Sequence, residues 1–227
     1  VSRVLAYCGF QHHPDISLPA TGVQGSPVQA IDSGALRLLW SPVEWPFDPA
    51  NMQQHAVEFH GAVSHIFKQT AVIPFRLLSV LDDHTALTSL IAENQQNFLH
   101  DLERLKNFVQ MEYVIYPAPG VMQANRSSGT AYLQQKATAL RSAEAFVNNM
   151  SQAIEHLCSE VRVREAKNGT RCFALVERGR EDEFRQAISS VPIPEHLSRR
   201  MSGPWPAAEF LSEPVRSPQI TPMAGAN

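Results

Sequence analysis

At 227 residues the chain can form one large domain or two small ones and can bury a sizeable core. Its 44% hydrophobic and 18% charged residues are ordinary for a globular protein, and a formal net charge of -3 gives nucleic acid or an anionic membrane little reason to bind. No stretch reaches the ~20 apolar residues of a membrane span, and the first apolar run is too short for a signal peptide, so a soluble cytoplasmic protein is expected.

The chain opens with a strand, Arg3 to Gly9, followed by a polar loop to Gly25. VQAIDSGALRLLWSPV then reads as a hairpin, with Asp32-Ser33-Gly34 as its turn. Proline turns around Trp45 lead into a helix. Asp48 before Pro49 predicts its N-cap, and Met52, Ala56, Phe59, Val63, Ile66 and Phe67 recur at helical spacing. AVIPFRLLSVL returns to strand character, and Pro74 makes it an edge or an irregular strand. A long amphipathic helix is expected from Asp82 to about Gln110, its start favoured by Asp82 and Asp83.

The second half begins with the strand MEYVIYPA. A loop rich in Pro, Gly, Asn and Ser follows, then a long helix from Gly129 whose apolar face includes Val147, Met150, Ile154 and Leu157. VRVREAK and TRCFALVERG are two strands joined at Asn168-Gly169, a strong hairpin signal. REDEFRQAISSV is a short helix, and SRRMSGPW ends as a last strand. This order, β-α-β-β-α-β, is the ferredoxin-like plan. The expected class is therefore α+β in two domains: a small mixed α+β domain over residues 1–110 and a modified ferredoxin-like domain over 111–210. Residues 211–227 form a proline-rich tail.

Candidate chemistry is sparse. Cys8, Cys158 and Cys172 are odd in number and match no zinc or redox spacing; they read as small hydrophobes, Cys158 in a helix-like run. His55, His60 and His65 lie five residues apart on one helix, so successive rings point ~140° apart and do not converge on a metal. Gly22-Val23-Gln24-Gly25 lacks the Lys and Ser/Thr of a phosphate loop and reads as loop punctuation. A ferredoxin-like sheet that binds RNA needs stacking aromatics on its central strands, and only Phe173 stands there. No catalytic residue, cofactor site or metal site is assigned.

Five segments, in order, resemble the gas vesicle protein F/L family: GVQGSPVQAIDSGALRLLWSPV, HAVEFHGAVSHIFKQTAVIPFRLLSVL, GTAYLQQK, FALVERGREDEFRQAI and SGPWPAAEF. The sequence departs from the family pattern at Leu77-Leu78-Ser79 and at Ala207-Ala208, where the family carries Phe-Gly-Thr and Pro-Tyr. The resemblance implies two α+β domains and an accessory, non-enzymatic protein of gas vesicle assembly. Its expected partners are the hydrophobic gas vesicle shell protein and other gas vesicle accessory proteins, with no nucleic acid and no membrane; its expected location is cytoplasmic, with gas vesicles. Trp45 and Trp205 are held in proline-stiffened loops and, with Phe210, are the candidate partner-binding residues, since rigid aromatics lose little entropy on binding; the alternative is that each tryptophan seals its own domain edge or one domain against the other. Arg76 matches the family's strand arginine and is expected to meet a carboxylate inside the fold. The alternative reading is a ferredoxin-like regulatory module that binds a small molecule.

Overall fold

The computed structural model describes residues 2–118, 129–166 and 169–213. The chain forms an α+β fold with two antiparallel sheets and, among the described residues, four α-helices. It divides into two compact units: Val1–Lys106 joined by the chain from Leu211 onward, and Asn107–Phe210.

In the first unit the sheet is built on β1 (Ser2–Gln11), whose run Val4–Phe10 is almost wholly buried. On one side β1 pairs with β3 (Leu36–Glu44), which pairs in turn with β2 (Gln29–Ser33). The β2–β3 turn is Gly34-Ala35 rather than Asp32-Ser33-Gly34, because Ser33 pairs with Leu36 and Asp32 with Arg37. Gly34 takes a φ of 60° there, which glycine alone adopts cheaply. Arg37 grips Asp32 through Nε at 2.6 Å and Nη2 at 2.8 Å, which keeps Asp32 in the ladder.

Asp48 caps the entry to the first helix by accepting from Ala50 N at 2.9 Å; a short 3-10 turn intervenes before α1 (Met52–Phe67). Pro74 breaks the following strand as its missing N–H requires. Two fragments, β4 (Ile73–Pro74) and β5 (Val80–Leu81), pair separately with β1. α2 (His84–Leu105) starts on Asp83, which accepts from Ala86 N at 2.9 Å. It stops short of the expected Gln110, because Phe108–Gln110 already belong to the next strand. Leu5, Tyr7, Phe10, Leu38, Leu39, Ile66, Leu87 and Ile91 form the core of this unit.

The second unit runs β6 (Phe108–Pro117), α3 (Gly129–Ile154), β7 (Cys158–Ala166), β8 (Gly169–Glu177), α4 (Glu181–Ser190) and β9 (Leu197–Trp205). The sheet order is β7-β8-β6-β9, all antiparallel. α3 ends at Ile154, so Cys158 is the first residue of a strand and not part of a helix. β7 and β8 pair outward from Ala166 and Gly169; Asn168 of the expected turn, like the loop of residues 119–128, lies outside the described residues.

Alternation along β6 decides the layering. Val109, Met111, Tyr113 and Ile115 are essentially inaccessible, and Tyr113 reaches α3 through Ser151 Oγ at 3.0 Å. Gln110, Glu112, Val114 and Tyr116 point to the opposite face, as the period of two demands. Arg199 closes the C-terminal end of α4 by donating to the carbonyls of Ile188, Val191 and Ser189.

Candidate functional site

In the first unit the candidate site forms around Gly22-Val23-Gln24-Gly25. Val23 is buried and donates its N–H to Tyr7 Oη at 2.8 Å, and Tyr7 Oη exchanges a hydrogen bond with Ser41 Oγ at 2.7 Å. Gln24 takes a left-handed φ of 61°. Its side chain binds the backbone of Glu44 twice, accepting from Glu44 N at 2.7 Å and donating to Glu44 O at 3.1 Å. Glu58 on α1 accepts from Gln24 N at 2.9 Å and from Gln54 Nε2 at 2.8 Å, and stands 3.3 Å from His55 Nδ1. Burial raises the Glu58 carboxyl, but these contacts outweigh it and hold the group below its ordinary value.

Trp45 joins the same assembly. It packs edge-on to Phe47 at 5.0 Å, and Phe47 stacks at a tilt on His55, also at 5.0 Å. Trp45 is half-buried and Phe47 is buried. A proline-stiffened turn, a left-handed loop and one face of α1 are thus locked together through Gln24 and Glu58. Beside them opens a groove of about 440 Å³, lined by Leu18, Ala20, Gly25, Glu58, Gly61 and His65 among others. The three helix histidines do not converge. His55 is buried, His65 Nε2 meets Ser17 Oγ at 3.1 Å, and His60 Nε2 meets Ser64 Oγ at 3.2 Å.

Trp205 and Phe210 belong to the second unit. Gly203 has a φ of 117°, and a Cβ there would meet Gln110 O and Met111 Sδ, both at 2.9 Å. β9 shifts register at this point, so that Trp205 pairs with Gln110. Trp205 is half-buried and donates Nε1–H to Ser202 Oγ at 3.2 Å. The chain then folds over the sheet face that bears Gln110. Glu209 N donates to Gln110 Oε1 at 3.0 Å, Arg162 donates to Glu209 O, and the Arg162 guanidinium lies 5.1 Å above the Phe210 ring. Phe210 is fully buried, so it supports this corner from within and presents no surface of its own.

Among the described residues Arg76 meets no carboxylate, contrary to the expectation. Its side chain is exposed and unpaired among the described residues; its backbone is held on both sides by Ser79, the N–H donating to Ser79 Oγ at 3.2 Å and the carbonyl accepting from Ser79 N at 2.8 Å. Arg76 follows the end of β4 at Pro74, outside the paired strand.

The thiols are not poised for nucleophilic work. Burial pushes Cys8 and Cys172 up, and raises Cys158 to about 12, with Cys172 adding to the effect. Among the described residues no three His, Cys, Asp or Glu side chains gather as metal ligands, and no helix is long and apolar enough to cross a membrane. Sequence reasoning passed over Tyr7 and Glu58 and read Gln24 as loop punctuation. The contacts of Tyr7 and Glu58 with this loop span 16 and 34 residues, beyond any local motif.

Residues 3–212 match the family "Gas vesicle synthesis protein GvpL/GvpF". The chain is 24% identical over 226 residues to "Gas vesicle protein L" of Streptomyces sp. (strain CB03234), covering 88% of this chain and 82% of that protein. It is also 24% identical over 227 residues to "Gas vesicle protein F" of the same organism, covering 88% and 94%. Among solved structures, the gas vesicle protein GvpF from Anabaena sp. PCC7120 superposes with a TM-score of 0.76 at 14% identity, covering 94% of this chain and 97% of that one. GvpF from Microcystis aeruginosa gives 0.72 at 15% identity, covering 93% and 99%. The two structures share the fold. The match over residues 3–212 means that the chain belongs to the GvpL/GvpF family.

Proposed function

We propose that this GvpL/GvpF family member serves gas vesicle formation as an accessory protein, binding the hydrophobic shell subunit or another accessory protein and limiting premature aggregation. The observation that carries the reading is the family match from residue 3 to residue 212, which spans both compact units. A very apolar subunit exposes sheet edges and apolar surface before it assembles, and a partner that covers them keeps it soluble. No catalytic step is assigned. The protein acts in the cytoplasm, with nascent gas vesicles.

The second unit is read as a modified ferredoxin-like domain. Its order β-α-β-β-α-β and its sheet order β7-β8-β6-β9 support that description. Trp45 and Trp205 are the proposed contact residues, each half-buried in a stiff turn, and Phe210 holds the Trp205 corner in shape.

The test is static light scattering of purified shell protein with and without this chain, together with co-purification. Suppressed scattering and a retained complex are expected. No complex and unchanged scattering, with a thermal shift on adding a small metabolite, would replace this reading by the regulatory-module one.

A further inference from the structure

The open face of the second unit's sheet carries a row of positive charge. Strand register places Arg164 of β7 directly opposite Arg171 of β8, Arg171 opposite Val114 of β6, and Val114 opposite Arg200 of β9. Directly opposed residues of antiparallel strands share a face, so this is one row across all four strands. Neighbouring strands lie ~4.8 Å apart, so the three guanidinium stems span ~14 Å.

This face is the one turned away from α3 and α4. Tyr113, next to Val114, bonds toward α3, and Arg199, next to Arg200, caps α4. Among the described residues, the Glu209–Phe210 segment covers the Gln110 end of the face, and the Glu209 side chain reaches Arg164 at one end of the row. The Arg164 side chain is 58% exposed and that of Arg171 43%. Arg200 is exposed and has no ion-pair partner among the described residues. Val114 lies half-buried between Arg171 and Arg200, with half-buried Tyr116 beyond it and Glu112 before it on the same face of β6.

Like charges set directly across a sheet cost stability. Here the cost is only partly offset. Glu209 stands 3.7 Å from Arg164, and Glu112 stands 3.1 Å from Arg171 Nε, which finds no hydrogen bond.

We infer that this face is a docking surface for an acidic segment of a protein partner, whose carboxylates pair with Arg164, Arg171 and Arg200 and whose apolar side chain rests on Val114 and Tyr116. Charge complementarity names the occupant. A protein is favoured over RNA because the face offers no exposed stacking pair: Phe173 is 6% exposed beneath Arg171, and the whole chain carries a net charge of -3. The inference rests on the accessory-protein reading only in taking the partner to be a protein.

The experiment is fluorescence anisotropy with a labelled helical peptide of glutamate and leucine, run on the full chain and on the double variant R164Q/R200Q. Both substituted side chains are exposed, and circular dichroism with a thermal melt verifies the fold. The double variant is expected to bind at least tenfold more weakly, while R180Q, a surface arginine outside the row, binds as the parent does. Equal affinity of parent and double variant overturns the inference, as does a single-stranded RNA that binds the row more tightly than the peptide. The shell-protein scattering assay, run on the same double variant, separates the two readings. Loss of peptide binding with scattering still suppressed moves the shell contact elsewhere; peptide binding with no effect on scattering by either protein removes the shell partner and leaves the row.

Discussion

The hydroxyl of Tyr7 occupies the space that a side chain on residue 22 would need. A Cβ built on Gly22 would stand 2.1 Å from Tyr7 Oη and 2.7 Å from Cζ. The glycine is therefore demanded by a tyrosine on the central strand, fifteen positions earlier in the chain. What looks like loop punctuation is a packing requirement. Through Val23 N–H and Ser41 Oγ the same hydroxyl ties the loop to β1 and β3.

Gly22→Ala should therefore lower stability by about 1–3 kcal/mol, the range of an overpacked core. Tyr7→Phe should cost about 1–2 kcal/mol by leaving Val23 N–H and Ser41 Oγ without their partner. The two losses should sum to more than the double variant shows, since removing the hydroxyl gives part of the space back. Urea melts of the four proteins measure this, and strict additivity would contradict the contact.

This relationship also marks where the sequence stopped being informative. Helix starts at Asp48 and Asp83 were legible because a cap acts over two or three residues, and both carboxylates accept the local N–H. The strands and helices of the second unit were legible from the succession of strand-like and helix-like runs, which gave their order along the chain. The β2–β3 turn was placed too early and one residue too long, because the Asp32–Arg37 pairing that fixes its register is a cross-strand contact. The exposure of Arg76 was missed for a like reason: sequence shows Pro74 but not which way the chain leaves it. The arginine row is visible only once register is known, since Arg164, Arg171 and Arg200 come from three strands.

Asp101 holds the end of the described chain. Its carboxylate is 4% exposed and accepts from Ser212 N at 2.9 Å, Ser212 Oγ at 2.6 Å and Arg104 Nη2 at 2.9 Å. Asp101→Ala removes the acceptor for all three donors, and a loss of about 2–4 kcal/mol is expected. Ser212→Ala gives up the hydroxyl bond alone and should cost about 1 kcal/mol. Limited proteolysis should cut Asp101→Ala after Phe210 faster than the parent; an unchanged digestion pattern would show that the segment is held by other contacts.

Alkaline pH should destabilise the protein. Burial raises Tyr7, Tyr113, Cys8 and Cys172 above their ordinary values and Cys158 to about 12. Above the ordinary thiol value of 9.0 the unfolded chain loses these protons while the folded chain keeps them. The folded state then binds more protons than the unfolded one, so stability falls as pH rises. It is complete below pH about 9 and declines through the range above it, with the tyrosines adding to the decline beyond about 10. Thermal melts from pH 7 to 11 should show Tm steady and then falling. Cys8 should resist a thiol reagent in the folded protein at pH 8 and react on unfolding; prompt reaction in the folded state would contradict its burial.

The Trp205 corner separates structure from recognition. Gly203 cannot carry a side chain, since a Cβ would meet Gln110 O at 2.9 Å in a backbone conformation that L residues rarely adopt. Gly203→Ala should therefore displace the register shift that pairs Trp205 with Gln110 and cost about 1–3 kcal/mol. Trp205→Ala removes a half-buried ring and its bond to Ser202 without touching the backbone, so a loss of about 2–3 kcal/mol is expected. If the ring only seals the sheet end, both variants lose stability and retain partner binding at temperatures where they stay folded. If the ring is also a contact, Trp205→Ala loses binding well below its melting temperature while Gly203→Ala, which keeps the ring, retains more of it. Measuring shell-protein binding of both variants at a temperature at least ~15 °C below each Tm decides between the two, because that margin leaves each chain almost wholly folded.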